Sequence, residues 1–337
     1  MKKKTKTMEQ TAAEHIDLLD AIEKEANLSP KSKSSYKELV SAIRNRADGV
    51  PIHEVVLHPK KYIPLLKQWY QKDTTLKSQI STILTLFRYN PKFKLEHLKE
   101  YEQWSEAFKE AKAKVDERYE SNRPTERQAS GYVEYQDIIA ARDKLPEGHM
   151  HRLLLGMYTH LRPMRCEYAR VAIYRTKVPE PAEDNYILLK GSPSSKSGVT
   201  GRLIIREFKT KKHHDAFDLE LPKPLIDDLM TSLEEKPREW LFVNSRGEPY
   251  TRHLYIKWTT RTFQSIFKKP LTVSLIRHSL ISSLNFNELS IKDKKDIATS
   301  MAHTVAMQDR YRLLFDNDKA SCNCVCDAKD STNSTSA

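Results

Sequence analysis

The second half of this chain contains arginine, lysine, histidine and tyrosine side chains whose chemistry is complementary. In sequence order these residues are Arg162, Arg165, Lys209, Arg277, His303 and Tyr311. An arginine stays charged and donates parallel hydrogen bonds to a phosphate, so two arginines can stabilise charge that develops on phosphate oxygens. A lysine can protonate a leaving oxygen, and a tyrosine phenol can form a phosphate ester that reverses. The set predicts reversible breakage of a phosphodiester bond without a metal.

Short sequence segments carry these residues. The segments are LRPMRCEY (161–168), LIIREFKTKK (203–212), SLIRHS (274–279) and MAHTVAMQDRY (301–311). Taken singly, each residue could be a core or surface residue, and His278 is expected to be a buried, hydrogen-bonded structural histidine. Their order within one half of the chain favours the chemical interpretation.

Composition points to a polyanionic partner. The 337 residues include 57 Lys+Arg against 45 Asp+Glu, a formal net charge of +12. An excess of positive charge of this size is typical of proteins that bind nucleic acid. The chain has no run of about 18 apolar residues, and no apolar segment follows the basic start MKKKTK, so a membrane span and a secretory signal are not expected. We expect an intracellular protein whose partner is nucleic acid, with an anionic membrane surface as the alternative that charge alone leaves open.

Hydrophobic periodicity and turn residues divide the chain into five parts. They are a basic, helical N-terminal arm (1–30), an α-helical domain (31–120), a polar linker (121–131), a larger domain (132–315) and a disordered tail (316–337). The tail contains Cys322, Cys324 and Cys326, but their spacing is shorter than zinc sites usually have. We therefore predict no metal site there.

The larger domain changes its period part-way along. Helices are predicted at 133–144, 150–174, 222–233, 251–268, 273–287, 291–301 and 304–315, and short strands at 185–191, 201–210 and 216–221. In the first domain, one long helix is predicted at 94–119, after a break at Asn90-Pro91. The predicted fold class is mainly α with a small β-sheet (α+β).

Residues 130–315 resemble the tyrosine recombinases, or phage integrases. LIRHS is similar to their L-R-H-[ST] signature, and AHT followed by Tyr311 is similar to their G-H-[ST] … Y signature. The resemblance implies an N-terminal helical core-binding domain and a recombinase catalytic domain. It implies that Arg277 is the second catalytic arginine, Lys209 the general acid, His303 a ligand of the scissile phosphate and Tyr311 the nucleophile.

The first catalytic arginine has two candidates. One pattern in the family, G-L-R-x-x-E, would select Arg162, but the residue three places later is Arg165 rather than an acid. A pattern of some virus-associated and mobile-element members, which resembles L-P-P-x-R-x-[DE]-Y, would select Arg165, with Glu167 and Tyr168 after it. Arg165 is preferred, because the Glu167 carboxylate could orient its guanidinium.

Two positions depart from the family pattern. Ser274 stands where the family usually has His or Lys, and serine is not a strong base. Ala302 stands where the family has Gly before His303, a mild change if the backbone there is helical.

The resemblance implies a site-specific recombinase or integrase that cuts and rejoins duplex DNA through a 3′-phosphotyrosyl intermediate. It implies a homotetramer on DNA, no cofactor and no metal, and integration of a viral genome or mobile element. Two alternatives stay open. One is a type IB topoisomerase or telomere-resolvase-like enzyme, and the other is a decayed recombinase that only binds DNA.

Overall fold

The described part of the chain divides into two units between Ser121 and Asn122. A computed structural model describes residues 17–192, 194, 198–212, 215–286 and 288–315. The segment predicted as a linker, 121–131, begins at this division. It contains the helix α8 (Glu126–Gly131), which starts with a capping box between Thr125 and Gln128. The tail at 316–337, with its three cysteines, lies outside the described residues.

The regular elements among the described residues of the first unit are helices. Its helices are α1 (Asp20–Lys24), α2 (Pro30–Arg46), α3 (Ile52–Leu57), α4 (Pro59–Trp69), α5 (Asp73–Tyr89), α6 (Pro91–Glu96) and α7 (Leu98–Glu120). Helices α5 and α7 pack along each other. Trp104 of α7 is fully buried in the core, and its indole N–H donates to the Val56 carbonyl over 2.9 Å. A buried indole therefore keeps its hydrogen bond.

Proline and serine residues set several helix starts in this unit. Ser29 caps α2, with its hydroxyl accepting from the Ser32 amide, and Pro30 occupies the first helical position. The predicted break at Asn90-Pro91 is confirmed, because α5 ends at Tyr89 and α6 begins at Pro91. The single helix predicted at 94–119 is wrong in one respect. His97, which has a non-helical backbone (φ −122°, ψ 44°), separates α6 from α7.

The second unit surrounds one small sheet with helices. The helices are α8, α9 (Tyr135–Asp143), α10 (Met150–Thr159), α11 (Lys223–Glu235), α12 (Arg252–Phe267), α13 (Val273–Ser282), α14 (Ile291–Ser300) and α15 (Val305–Asp309). The strands are β1 (Ala172–Arg175), β2 (Asn185–Gly191), β3 (Val199–Ile205) and β4 (Phe217–Glu220), in that spatial order. The predicted class, mainly α with a small sheet, is confirmed.

Strand β1 lies parallel to β2, and the other neighbours are antiparallel, with Ala172 opposite Tyr186 and Asn185 opposite Ile205. Alternate residues of β2 and β3 face opposite sides of the sheet. Ile187 and Leu203 belong to the main core with the helices, whereas Tyr186 and Ile204 form a smaller cluster on the other face.

The predicted helix at 150–174 is wrong beyond residue 159. Helix α10 ends at Thr159, a 3-10 turn follows at Glu167–Ala169, and β1 replaces the last part. The residue before a proline is disfavoured in helical conformation, and Pro163 lacks an amide donor, so the helix cannot continue through LRP. This break places Arg165 in an irregular segment rather than on a helix.

The predicted helix at 304–315 is also too long. Helix α15 ends at Asp309, and side chains of α13 hold the backbone that follows. The His278 ring donates to the Tyr311 carbonyl over 2.7 Å, and the Leu313 amide donates to the Ser282 hydroxyl over 2.8 Å. These tertiary partners replace the bonds of a continuing helix. Helix α13 is likewise shorter than predicted, ending at Ser282 rather than at 287.

No helix among the described residues is long and apolar enough to cross a membrane.

Candidate active site

Arg277 is the buried centre of the site. It lies on α13 with no exposed surface. Its guanidinium donates to the Pro163 carbonyl over 2.5 Å, to the Met301 carbonyl over 3.0 Å and to Nδ1 of His303 over 2.8 Å. Burial lowers the pKa of Arg277, while the neighbouring Tyr311 phenol opposes that change. The three acceptors come from separate segments, so Arg277 ties those segments together.

Arg165 approaches the same place from the segment after α10. Its guanidinium donates to the Ala302 carbonyl and to the Tyr311 hydroxyl, each over 3.4 Å. The Tyr158 hydroxyl donates to the main-chain carbonyl of Arg165 over 2.9 Å, which holds that segment against the core. Arg162, the other candidate, is exposed, and its charge acts on Tyr135 instead. Among the described contacts, Arg165 joins Arg277 and Tyr311, and Arg162 does not.

The Tyr311 ring lies between two histidines and above a guanidinium. Its centroid is 4.9 Å from that of His278, 5.2 Å from that of His303 and 4.8 Å from the Arg277 carbon. Burial by itself raises the pKa of the phenol, but the charges and hydrogen bonds of Arg277 and Arg165 lower it by more, so the net pKa is below its ordinary value. The surroundings favour the phenolate, which is the nucleophilic form.

The hydrogen-bond partners of both histidines determine which ring nitrogen carries the proton in the neutral form. Arg277 can only donate, so Nδ1 of His303 accepts and the proton of the neutral ring is on Nε2. In His278 the proton is on the other ring nitrogen. Its Nδ1 faces the Tyr311 carbonyl, which can only accept, so Nδ1 carries the proton. Burial lowers the pKa of His278, which favours the neutral ring.

The turn at 301–303 connects the two arginines. The Met301 carbonyl accepts from Arg277, and the Ala302 carbonyl accepts from Arg165. Ala302 has φ +53°, so the condition under which alanine would be a mild change, a helical backbone, is not met. A left-handed conformation costs a residue with a Cβ about 1–2 kcal/mol, which explains why glycine suits this position. The site retains this strained turn because its carbonyls are the acceptors for both guanidinium groups.

Lys209 lies just beyond β3 in an exposed turn. The strand ends at Ile205 rather than at 210 as predicted, because the Asn185 side chain accepts from the amides of Arg206 and Glu207 and turns the chain. The next residue, Thr210, donates its hydroxyl to the Ala302 carbonyl over 3.2 Å. Lys211 is paired with Glu207, whereas the described residues provide no ion pair for Lys209. The turn therefore holds the backbone of Lys209 beside the turn that contains His303.

Comparisons with known proteins bear on the fold. No protein-family model matches the chain, and no curated protein matches it with significance. A solved lambda integrase (residues 75–356), a dimer bound to a COC′ core site, covers 88% of this chain and 94% of its own, with a TM-score of 0.50 and 16% identity.

This chain has the tyrosine recombinase fold. An integrase of the Tn1549 transposon, solved with circular-intermediate DNA, is also similar, with a TM-score of 0.49 and 13% identity over 90% of this chain and 97% of the other. At these identities the likeness concerns fold, so the roles of individual residues rest on the geometry of this chain.

Two of the predicted site residues, Ser274 and Glu167, lie near the arginines and Tyr311 without a described hydrogen bond to them. Ser274, in the first turn of α13, lines a cavity that Arg165 and Tyr311 also line. Glu167 is buried, and its charge acts on Arg277; the hydrogen bonds of the Arg165 guanidinium go elsewhere. The 3-10 turn that starts at Glu167 directs this side chain inward, and its Oε2 has no hydrogen-bond partner among the described residues.

Sequence reasoning missed two further residues. Gln128 of α8 contacts Nε2 of His278 over 3.4 Å, and nothing in its local sequence indicates that role. Arg252 lines the same cavity as Ser274. A cation in the first turn of a helix is unfavourable for the helix, and that is the sequence signal that could have identified Arg252. The described residues contain no group of metal-ligating side chains.

Proposed function

We propose that this protein is a site-specific DNA recombinase that cuts and rejoins duplex DNA, with Tyr311 as the nucleophile. The observation that carries the proposal is the convergence of Arg165 and Arg277 on the Tyr311 phenol, which lowers its pKa despite burial. The fold shared with lambda integrase supports the same class of reaction.

In the proposed reaction the Tyr311 oxygen attacks the phosphorus of one strand. A 3′-phosphotyrosyl bond forms and the bond to the 5′-oxygen breaks. The Lys209 ammonium gives its proton to that oxygen, which leaves as a 5′-hydroxyl. Attack by the 5′-hydroxyl of a second strand on the phosphotyrosyl bond reverses these steps and releases Tyr311. The energy of the broken bond is retained in the ester, so no cofactor takes part.

The arginines have two roles in this proposal. Before DNA binds, Arg165 donates to the phenol oxygen, the position from which a nucleophile would attack. With DNA bound, Arg165 and Arg277 would donate to the non-bridging oxygens, and the Nε2–H of His303 would add a third donor. Preplaced donors of this kind each contribute about 3–4 kcal/mol to transition-state stabilisation.

The arginines also bear on how Tyr311 loses its proton. Ser274, on the nearby first turn of α13, cannot act as a strong base. A phenol whose pKa is lowered by two guanidinium groups can release its proton to water instead. We therefore propose that Tyr311 is activated by charge rather than by a dedicated base.

The remaining partners follow from the same proposal. The first unit would be the helical core-binding domain, and the net charge of +12 suits a protein that contacts many phosphates. The assembly that we propose is a homotetramer on two DNA sites. The biological role that we propose is the integration of a viral or mobile element.

The test uses a library of nicked duplexes in which the short cleaved strand diffuses away and traps the ester. The wild type should form a covalent DNA–protein adduct on a denaturing gel, Tyr311→Phe should form none, and the control Tyr89→Phe, in the first unit, should behave as wild type. An adduct with Tyr311→Phe would overturn the choice of nucleophile. DNA binding with no wild-type adduct would assign a protein that binds without cutting. Relaxation of supercoiled plasmid without site preference would assign a topoisomerase.

A further inference from the structure

A cavity of about 210 Å³ opens beside the candidate nucleophile. Arg165 and Tyr311 line one part of it. Helix α12 contributes Arg252 from its first turn and further side chains from its next two turns, and the start of α13 contributes Ser274. Two guanidinium groups from separate segments therefore border one cavity next to the reacting phenol.

The position of Arg252 does not favour the stability of α12. It is the first residue of α12, after the Thr251 cap, and no acidic residue lies in that turn. The positive end of a helix dipole disfavours a nearby cation by about 0.3–1 kcal/mol. Arg252 is exposed, and the described residues offer it no hydrogen bond or ion pair. An anion in the cavity would be attracted by both the guanidinium and the helix terminus.

The charge of Arg252 reaches toward the site. Burial raises the pKa of the Cys166 thiol, and the Arg252 charge is the largest influence that opposes this change. Cys166 is the residue directly after Arg165 and lines the same cavity. On the side of α13 the cavity is lined by Thr272, Val273 and Ser274, none of which is charged, and a basic residue in place of Ser274 would also face the phosphate. Arg252 of α12 can therefore supply the positive charge that the start of α13 lacks.

We propose that Arg252 is a third phosphate-binding arginine, which contacts the phosphate that Tyr311 attacks and supplies the positive charge that is missing at Ser274. The inference rests on the proposed function. Its ligand is a tetrahedral oxyanion, the singly charged phosphodiester of DNA. Arg252 would position this group between Arg165 and the first turn of α13.

The first test needs no DNA and uses tungstate, a tetrahedral oxyanion. Thermal unfolding of the full chain is followed in tungstate and in chloride at equal ionic strength. Tungstate should raise the unfolding midpoint of the wild type and of R261Q, which removes an exposed charge two turns further along α12, outside the cavity. R252Q should bind tungstate about tenfold more weakly, the loss of one charge-assisted hydrogen bond. Equal responses of R252Q and R261Q would overturn the proposal.

The second test measures single-turnover cleavage of a trapped duplex at saturating protein. R252Q should slow cleavage by about 100-fold, as the loss of one preplaced donor does, whereas R261Q should leave the rate within about threefold. R252K keeps one charged donor and should cut faster than R252Q. Adding Ser274→Lys to R252Q should restore about tenfold, because the charge then comes from α13. A rate for R252Q equal to that of R261Q, or no gain from Ser274→Lys, would contradict the role.

The experiments distinguish a failure of the proposed function from a failure of the role proposed for Arg252. If the wild type forms no adduct, the proposed function is overturned, and the tungstate comparison still decides whether Arg252 binds an oxyanion. If the wild type forms the adduct and R252Q cuts at the same rate as R261Q, only the role of Arg252 is overturned.

Discussion

The Arg165 guanidinium donates to the Tyr311 hydroxyl over 3.4 Å, although 146 positions separate the two residues in the chain. The same guanidinium donates to the Ala302 carbonyl, in the turn that also receives Arg277. The phenol therefore lies where two positive charges act on it. This relationship makes the ionisation of one tyrosine the most direct measure of the site.

Tyr311 should ionise at lower pH than an ordinary tyrosine, for which the pKa is about 10. Absorbance at the phenolate band, titrated for the wild type minus Tyr311→Phe, should show one group below that value. Arg165→Met removes a charge and a hydrogen bond and should move the group upward. A difference titration centred at or above the ordinary value would contradict the charge argument. Arg162→Met, which removes a charge outside the site, is the control.

Loss of Lys209 should slow DNA cleavage by about 100- to 10,000-fold, the usual contribution of a general acid. A duplex with sulfur in place of the 5′-bridging oxygen should restore most of the rate, because a thiolate leaves without protonation. Lys211→Ala is the matched control, since Lys211 lies in the same turn but is paired with Glu207. If Lys209→Ala were equally slow on both substrates, the lysine would have some role other than proton donation.

Glycine should be tolerated at Ala302 and not at Ala298. Ala302 has φ +53°, so Ala302→Gly relieves about 1–2 kcal/mol of backbone strain, which offsets the greater flexibility of the unfolded chain. Ala298 is buried within α14, where Ala→Gly should lower the free energy of unfolding by about 1 kcal/mol. Chemical denaturation of both variants measures the difference. Equal losses would mean that the turn at 301–303 is not strained.

Acid should destabilise the protein partly through His278. Burial lowers the pKa of this ring in the folded state, so below about pH 6.5 the unfolded chain takes up a proton that the folded ring resists. The free energy of unfolding should therefore fall as the pH drops through that range. His278→Asn keeps a donor toward the Tyr311 carbonyl and should flatten this dependence. A pH dependence that stays the same in His278→Asn would show that His278 is not responsible.

The sequence predicted much of the secondary structure, because hydrophobic period and proline act on neighbouring residues. A change of hydrophobic period between turn-rich loops predicted β2, β3 and β4, and Pro30 and Pro91 marked helix starts. The two largest errors, the helices at 150–174 and 304–315, occurred where the backbone is held by distant groups or interrupted by Pro163. Strand β1 is only four residues long and pairs with a strand further along the chain, so its own residues carry little signal.

By itself, the sequence determined the types and order of the reactive residues, the excess of positive charge and the class of fold, since these depend on composition, spacing and periodicity. Only the tertiary structure placed Arg165, and not Arg162, beside Tyr311, turned Glu167 inward and brought Arg252 to the cavity that Tyr311 also lines. The physical reason is that each of these outcomes depends on backbone segments that meet through burial and hydrogen bonds across long separations. The short motifs contain no information about which carbonyl or phenol a given guanidinium will reach.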